Sequence, residues 1–250
     1  MNCARWISHF ERNRSRRPEP DWGSPVPAHH GIPPALVKSI EQFRLGDGGG
    51  PASLIAFDAR RFRCASEEMR RIVDFWFAEE AEHARLLGCA VRRFGGRIIT
   101  SHWSFTAFCA CRRLFGVRFE LQVLLLTELV STAYYRSLHN HSPDGALTAM
   151  CELILRDEAG HVAFHRDRLL DANGSSAGPG SLLWQIQFWC FGYAAATMLW
   201  INHRAGLASI GASGAEYFRE VRRQLRRFTL SLRRSRAPMP IKAKWAAATN

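Results

Sequence analysis

The chain has 250 residues, 47% of them apolar, and a formal net charge of +12, which suits one large domain or a domain with appendages. Its seven cysteines, Cys3, Cys64, Cys89, Cys109, Cys111, Cys151 and Cys190, are scattered and form no C-x-x-C pair; this leaves no pattern for a zinc ribbon or a rubredoxin-type centre and fits a reducing compartment. The N-terminus, MNCARWISHFERNRSRR, lacks the apolar core of a secretory signal, so a cytoplasmic location is expected.

Residues 1–34 are rich in Arg and Pro and read as an arm wrapping a domain or as a partly disordered tail. A helix is expected from Ala35, just after Pro34. Its inward stripe reads Leu36, Ile40, Phe43, Asp47, Gly50, Leu54 and Phe57, in alternating steps of four and three,. Asp47 falls on that stripe and Glu41 does not. The Gly48-Gly49-Gly50-Pro51 run is expected to weaken the helix and to kink or break it. A second helix follows Ser66, an N-cap residue, with Glu67 and Glu68 in its first turn. Its stripe is Met69, Val73, Trp76, Glu80, His83, Leu87 and Ala90. Glu79 and Glu82 fall off the stripe and are expected to face solvent or a neighbouring helix. Gly95-Gly96 ends the segment.

Residues 97–117 read as a link, with Trp103, Phe105, Phe108 and Phe115 as a cap. A third helix is expected over about 118–138, aligning Leu121, Leu125, Glu128, Thr132 and Tyr135. After the Ser142-Pro143-Asp144-Gly145 turn, a fourth helix aligns Thr148, Cys151, Ile154, Glu158, His161, His165 and Arg168. Residues 35–171 thus read as a four-helix bundle with a longer middle crossover. Residues 172–181 are a flexible linker, and 182–235 are additional helices packing on the bundle. Within them, Leu182–Ile201 has the length of a membrane span, but Gln185 and Gln187 favour a fifth helix covering the bundle. The last helix, about 214–234, sets Tyr217, Val221, Leu225, Phe228 and Leu232 against a face of arginines. Residues 219–245 hold ten basic side chains and one acid, Glu220, so the basicity is local and continues into a tail over 236–250.

The chemistry lies in two Glu-x-x-His steps, Glu80-Ala-Glu-His83 and Glu158-Ala-Gly-His161. Residues three apart share a helix face, so each pair can reach one ion. Asp47 lies 33 residues before Glu80, and Glu128 lies 30 residues before Glu158. The order acid, Glu-x-x-His, acid, Glu-x-x-His is the one a di-metal four-helix bundle needs. Four carboxylates and two imidazoles suit iron or manganese. The alternative, a buried polar network without metal, is costly for six polar groups in one layer. Asp157 and Thr132 are candidates to hold the imidazoles in their ligating tautomer. His165 is a candidate seventh ligand or a hydrogen-bonding neighbour of the centre, and Tyr135 can hydrogen-bond to it.

These residues resemble the ferritin-like di-iron carboxylate superfamily, and within it a bacterial branch of small ferritin-like proteins. The resemblance covers about residues 1–205. Its marks are Phe43-Arg-Leu-Gly-Asp47, Glu79-Glu80-Ala-Glu-His83-Ala, Glu128 followed by Tyr134-Tyr135, and Asp157-Glu158-Ala-Gly-His161-Val. It implies an all-α ferritin-like four-helix bundle, two iron ions or an Fe/Mn pair, and Asp47, Glu80, His83, Glu128, Glu158 and His161 as metal ligands. The chain departs from the pattern at Asp47, where the family usually has Glu. It also has Ile154 where arylamine N-oxygenases carry an extra His, and it lacks the Cys-rich module of rubrerythrins. The expected activity is oxygen-dependent oxidation of hydroxylase, desaturase or N-oxygenase type, with Tyr135 and His165 as candidate catalytic residues. The expected partners are an external electron donor such as a ferredoxin, a small-molecule or carrier-bound substrate, and a second copy in a homodimer. The runner-up is a metal-poor scaffold whose basic C-terminal helix meets nucleic acid, an acidic protein or a membrane surface.

Overall fold

The computed structural model describes residues 1–26, 31–48, 51, 53–171 and 181–234. The described residues form helices α1 (Cys3–Ser15), α2 (Pro34–Gly46), α3 (Ala59–Arg63), α4 (Glu67–Arg93), α5 (Trp103–Arg113), α6 (Val117–His141), α7 (Gly145–Asp171), α8 (Leu182–Ala208) and α9 (Gly214–Arg234), with no strand among them.

Local signals start the long helices. Ser66 caps α4 by accepting from the Met69 N–H at 3.0 Å, and Asp144 caps α7 by accepting from Leu147 at 2.8 Å, each satisfying an otherwise unpaired donor. Arg93, at the end of α4, grips the same Asp144 at 2.7 Å, tying the start of α7 to the end of α4. Contacts then fix directions. Glu79 meets His161 while His83 meets Asp157, so α4 and α7 are antiparallel. Ser131 meets Glu158 while His139 meets Glu152, so α6 and α7 are antiparallel too. Leu87, Leu125, Leu129, Tyr134, Tyr135 and Ile154 are all buried in the core these helices share.

The arm is not a loose tail at its start. α1 drives the fully buried Trp6 and Phe10 into a second core with Val73, Trp76 and Phe164, and Trp6 meets Phe164 edge-on at 5.6 Å. Truncating either aromatic to Ala should cost about 3–5 kcal/mol.

The stripe expected to run from Leu36 to Phe57 stops early. α2 ends at Gly46, Asp47 has extended backbone, and Gly48 has φ +72°, a left-handed turn that glycine adopts without strain. Gly50 lies outside the described residues. Leu54 is still buried, but Phe57 is 82% exposed. The loop after Pro51 is held by Glu120 of α6, whose carboxylate accepts from the backbone N–H groups of Ile55 and Ala56 at 2.8 Å each.

Residues 97–117 contain a helix, α5, and the aromatic cap expected there is only partial. Trp103 and Phe115 are exposed, and Phe105 and Phe108 are half-buried. α8 lies against α2, where its buried His203 meets Ser39 at 2.9 Å. α9 runs antiparallel to α8, with Tyr217 donating to the Ala196 carbonyl at 3.2 Å and Arg233 to Gln185 at 2.5 Å. No helix among the described residues is long and apolar enough to cross a membrane; Leu182–Ile201 lies within α8, which packs on α2, α6 and α9. Of the linker expected over 172–181 only Ser181 is described, and the basic tail lies outside the described residues.

Candidate metal centre

Each long helix of the central core delivers its acid or its Glu-x-x-His step from mid-length, where the backbone is fixed by packing on both sides. Asp47, His83 and Glu158 offer donor atoms that all lie within 4.8 Å of one another, and Glu80, Glu128 and His161 form a second such group. The two groups touch. Glu80 reaches the Nδ1 of His161 at 2.9 Å and the Nδ1 of His83 at 3.6 Å, so this carboxylate stands between the imidazoles. Glu128 and Glu158 lie 3.3 and 3.7 Å from His161 Nδ1, and Asp47 lies 3.8 Å from His83 Nδ1. All six expected ligand positions are therefore in one buried layer. Glu158, His83 and His161 are essentially sealed from solvent, Glu128 is 5% exposed, and the Asp47 and Glu80 side chains are 14% and 12% exposed.

Both rings point the same way relative to the cluster. Each turns Nδ1 inward, and each outer Nε2 faces a carboxylate from the opposite helix. Asp157 of α7 holds His83 at 3.3 Å, and Glu79 of α4 holds His161 at 3.0 Å. The acid immediately before each Glu-x-x-His thus serves the histidine of the other step. Glu79 is therefore buried at the α4–α7 contact rather than solvent-facing. Thr132 instead donates to the Glu128 backbone carbonyl of its own helix at 2.8 Å, so it holds no imidazole. Arg17, just beyond α1, joins the two supporting acids: it donates to Asp157 at 2.5 Å and lies 3.8 Å from Glu79.

The cluster carboxylates are oriented in turn. Tyr135 donates to Asp47, Trp76 to Glu80 at 3.2 Å, and Ser131 to Glu158 at 3.1 Å. Behind Asp47, an added Cβ on Gly48 would lie 1.7 Å from the Glu80 carbonyl oxygen. Only glycine lets the loop approach α4 closely enough to bring Asp47 to the cluster. His165 stands apart from both donor groups. Its ring meets Trp76 edge-on at 4.9 Å, its Nδ1 faces Arg168 at 3.4 Å, and its Nε2 is buried without a partner.

Electrostatics mark the layer as short of positive charge. Burial and the Glu80 carboxylate push Asp47 up to about 7. Burial and Glu128 push Glu158 well above the carboxylate range. Burial opposes charge on His83 and His161, yet the surrounding carboxylates raise both imidazoles well above the usual value. Protons thus do the neutralising that cations otherwise provide. Two donor atoms within the layer, His83 Nδ1 and Glu158 Oε2, are buried without any hydrogen-bond partner. Inward-facing Nδ1 atoms backed by carboxylates, together with spare carboxylate oxygens, fit metal ligation.

On the side away from Arg17 the layer borders a cavity of about 440 Å³, reached by Asp47, Glu80 and Glu128 and walled mainly by α2, α5, α6 and α8. The sequence reading missed three contributors, Glu79, Arg17 and Ser131. Glu79 was detectable as the acid matching Asp157 in the duplicated step. Arg17 carried no local signal, because its place depends on how the arm docks. No family model, curated protein or solved structure matches this chain.

Proposed function

We propose that this protein is an oxygen-activating di-metal oxidoreductase, of hydroxylase, desaturase or N-oxygenase type, built on a ferritin-like bundle and using iron or an iron–manganese pair. The observation that carries the reading is the crossed support of two inward imidazoles: His83 by Asp157 and His161 by Glu79. A polar network without metal has no need to leave His83 Nδ1 and Glu158 Oε2, from two residues of one donor group, buried and unpaired,. Asp47, His83 and Glu158 would hold one ion and Glu80, Glu128 and His161 the other, with Glu80 placed to reach both. When bound, such a pair of ions supplies reduction of O2 and oxidation of a nearby substrate, with electrons from an external donor such as a ferredoxin.

The chain's own groups have definable tasks. Asp157 and Glu79 fix the tautomer that leaves Nδ1 free, and Arg17 lies against both acids and helps hold them in place. Burial and Asp47 raise the Tyr135 phenol well above its usual range, so it remains a donor and sets the direction of Asp47. Trp76 and Ser131 do the same for Glu80 and Glu158. The apolar cavity keeps bulk water from the exposed edge of the carboxylates.

Protein expressed with iron available should retain on the order of one to two metal ions per chain. After chemical reduction it should consume O2 and stop, and a ferredoxin with its reductase should restart consumption. A wild-type protein that holds no metal, and whose thermal stability ignores added Fe²⁺ or Mn²⁺, would refute the assignment.

A further inference from the structure

The cavity beside the carboxylates carries information about what enters it. Its floor is acidic, with Asp47, Glu80 and Glu128, but its walls offer no free charge. Among the walls the charged side chain is Arg112, and it is committed: its guanidinium bonds Glu120 at 2.9 Å and the Ser53 carbonyl at 2.8 Å. The rest is largely aromatic and aliphatic, with Phe43 from α2, Phe108 from α5, Leu126 from α6 and Leu199 from α8 facing one space. An anionic group placed there would lose its hydration and gain no partner, a loss of several kcal/mol, and a cation would find carboxylates only at the floor, which the proposed function assigns to the metal ions.

Two polar wall residues are also spent. Asn202 donates to the Met198 carbonyl at 2.8 Å, and Thr127 to the Leu124 carbonyl at 2.7 Å. Gln122 differs: its side-chain Nε2 is buried and has no hydrogen-bond partner, although it lines the cavity. A buried unpaired amide calls for an acceptor. It lies six residues before Glu128 on α6, about 9 Å away along the helix axis at 1.5 Å per residue. The mouth is apolar as well. Phe191 and Met198 of α8 line the cavity while remaining 41% and 42% exposed, and α8 carries no charged side chain between Leu182 and His203.

We propose that this cavity binds a neutral, largely apolar substrate, an alkyl chain or an aromatic ring, bearing one uncharged oxygen function that Gln122 holds. The apolar part then extends along α6 toward the carboxylate floor, which places a C–H bond rather than a polar head beside Glu128. The inference rests on the proposed function for what happens at the floor. Binding itself needs only the cavity.

The test is displacement of the fluorescent probe 1-aminoanthracene from the full-length protein by decanol and by decanoate, with metal content measured on the same samples. Decanol should displace the probe, and decanoate should do so at least tenfold more weakly. Ala107→Trp on α5 and Ala195→Trp on α8 each fill the cavity from a different wall and should abolish displacement. Gln122→Leu should weaken decanol while sparing decane. Failure of decanol to displace the probe, or displacement unchanged in both Trp variants, would overturn the proposal; equal binding of decanoate would overturn its neutral class. Decanol binding by a metal-free wild type would leave the cavity assignment standing and sink the oxidoreductase reading. Metal retention without decanol binding would do the reverse.

Discussion

Glu158 and Asp47 serve the same donor group but are mounted differently. Glu158 sits in the middle of a 27-residue helix, with Asp157, Gly160 and His161 buried beside it and Ser131 fixing one oxygen. Asp47 sits just past the end of α2, on a turn that depends on a single glycine and a single phenol. Helix-mounted ligands inherit their position from a whole core, whereas the loop-mounted one inherits it from two contacts. The half of the site containing Glu80, Glu128 and His161 should therefore be the more robust half, and Asp47 the point at which an ion is first lost.

The largest expected effect tests the shared position of Glu80. Glu80→Ala should reduce metal content from roughly two ions per chain to near zero, because this carboxylate faces both imidazoles. Asp47→Ala should remove at most one. Equal losses in the two variants, by elemental analysis of purified protein, would erase the proposed difference between the halves.

Next comes Gly48→Ala. The added methyl would lie 1.7 Å from the Glu80 carbonyl, and the left-handed backbone alone costs about 1–2 kcal/mol. The loop must move, so the protein should lose the Asp47-side ion, and its melting temperature should fall by several degrees. Unchanged metal content would show that Asp47 is not held through this turn.

Smaller changes separate the supporting groups. Asp157→Asn should weaken binding at the His83 side by about 10–100-fold. Tyr135→Phe should act on the same side by a smaller factor, since the Asp47 carboxylate itself remains. Competition titration with a chelator would read both, and a Tyr135→Phe effect larger than that of Asp157→Asn would reverse the ranking.

The mildest effect lies outside the site. Burial holds His203 down at about 3 and His9 at about 4. The unfolded chain takes up protons at these positions near pH 6.5, while the folded chain does not. Stability from them is therefore present above pH 6.5 and falls as the pH drops toward 4, by about 1.4 kcal/mol per pH unit for each ring. Denaturant unfolding of His203→Gln, which keeps an amide near Ser39, should show a shallower decline between pH 6.5 and 5 than wild type. Identical slopes would contradict the buried neutral state.

Much of this was legible because α4, α6 and α7 bury residues at helical spacing, and a polar residue in an apolar stripe announces itself. The Ser66 cap and the helix over 214–234 were readable for the same reason. Asp47 was reached by a periodicity that the chain does not follow, since α2 ends one residue earlier; the carboxylate arrives by a turn instead. Glu79 was left between solvent and a neighbouring helix because a single stripe allows one buried face, whereas α4 packs against α1, α2 and α7 and Glu79 meets the last of these. Phe57 failed for the complementary reason: once the helix ended, its register meant nothing.

The crossed pairing of Glu79 with His161 and of Asp157 with His83 also has an evolutionary reading. Neither Glu-x-x-His step is a self-contained cassette, because each keeps its histidine aligned through an acid lent by the other. A change at 79 is felt at 161, and a change at 157 is felt at 83. The two repeats must therefore drift together, and in any set of descendants of this sequence the informative correlations should run between the repeats, not within them.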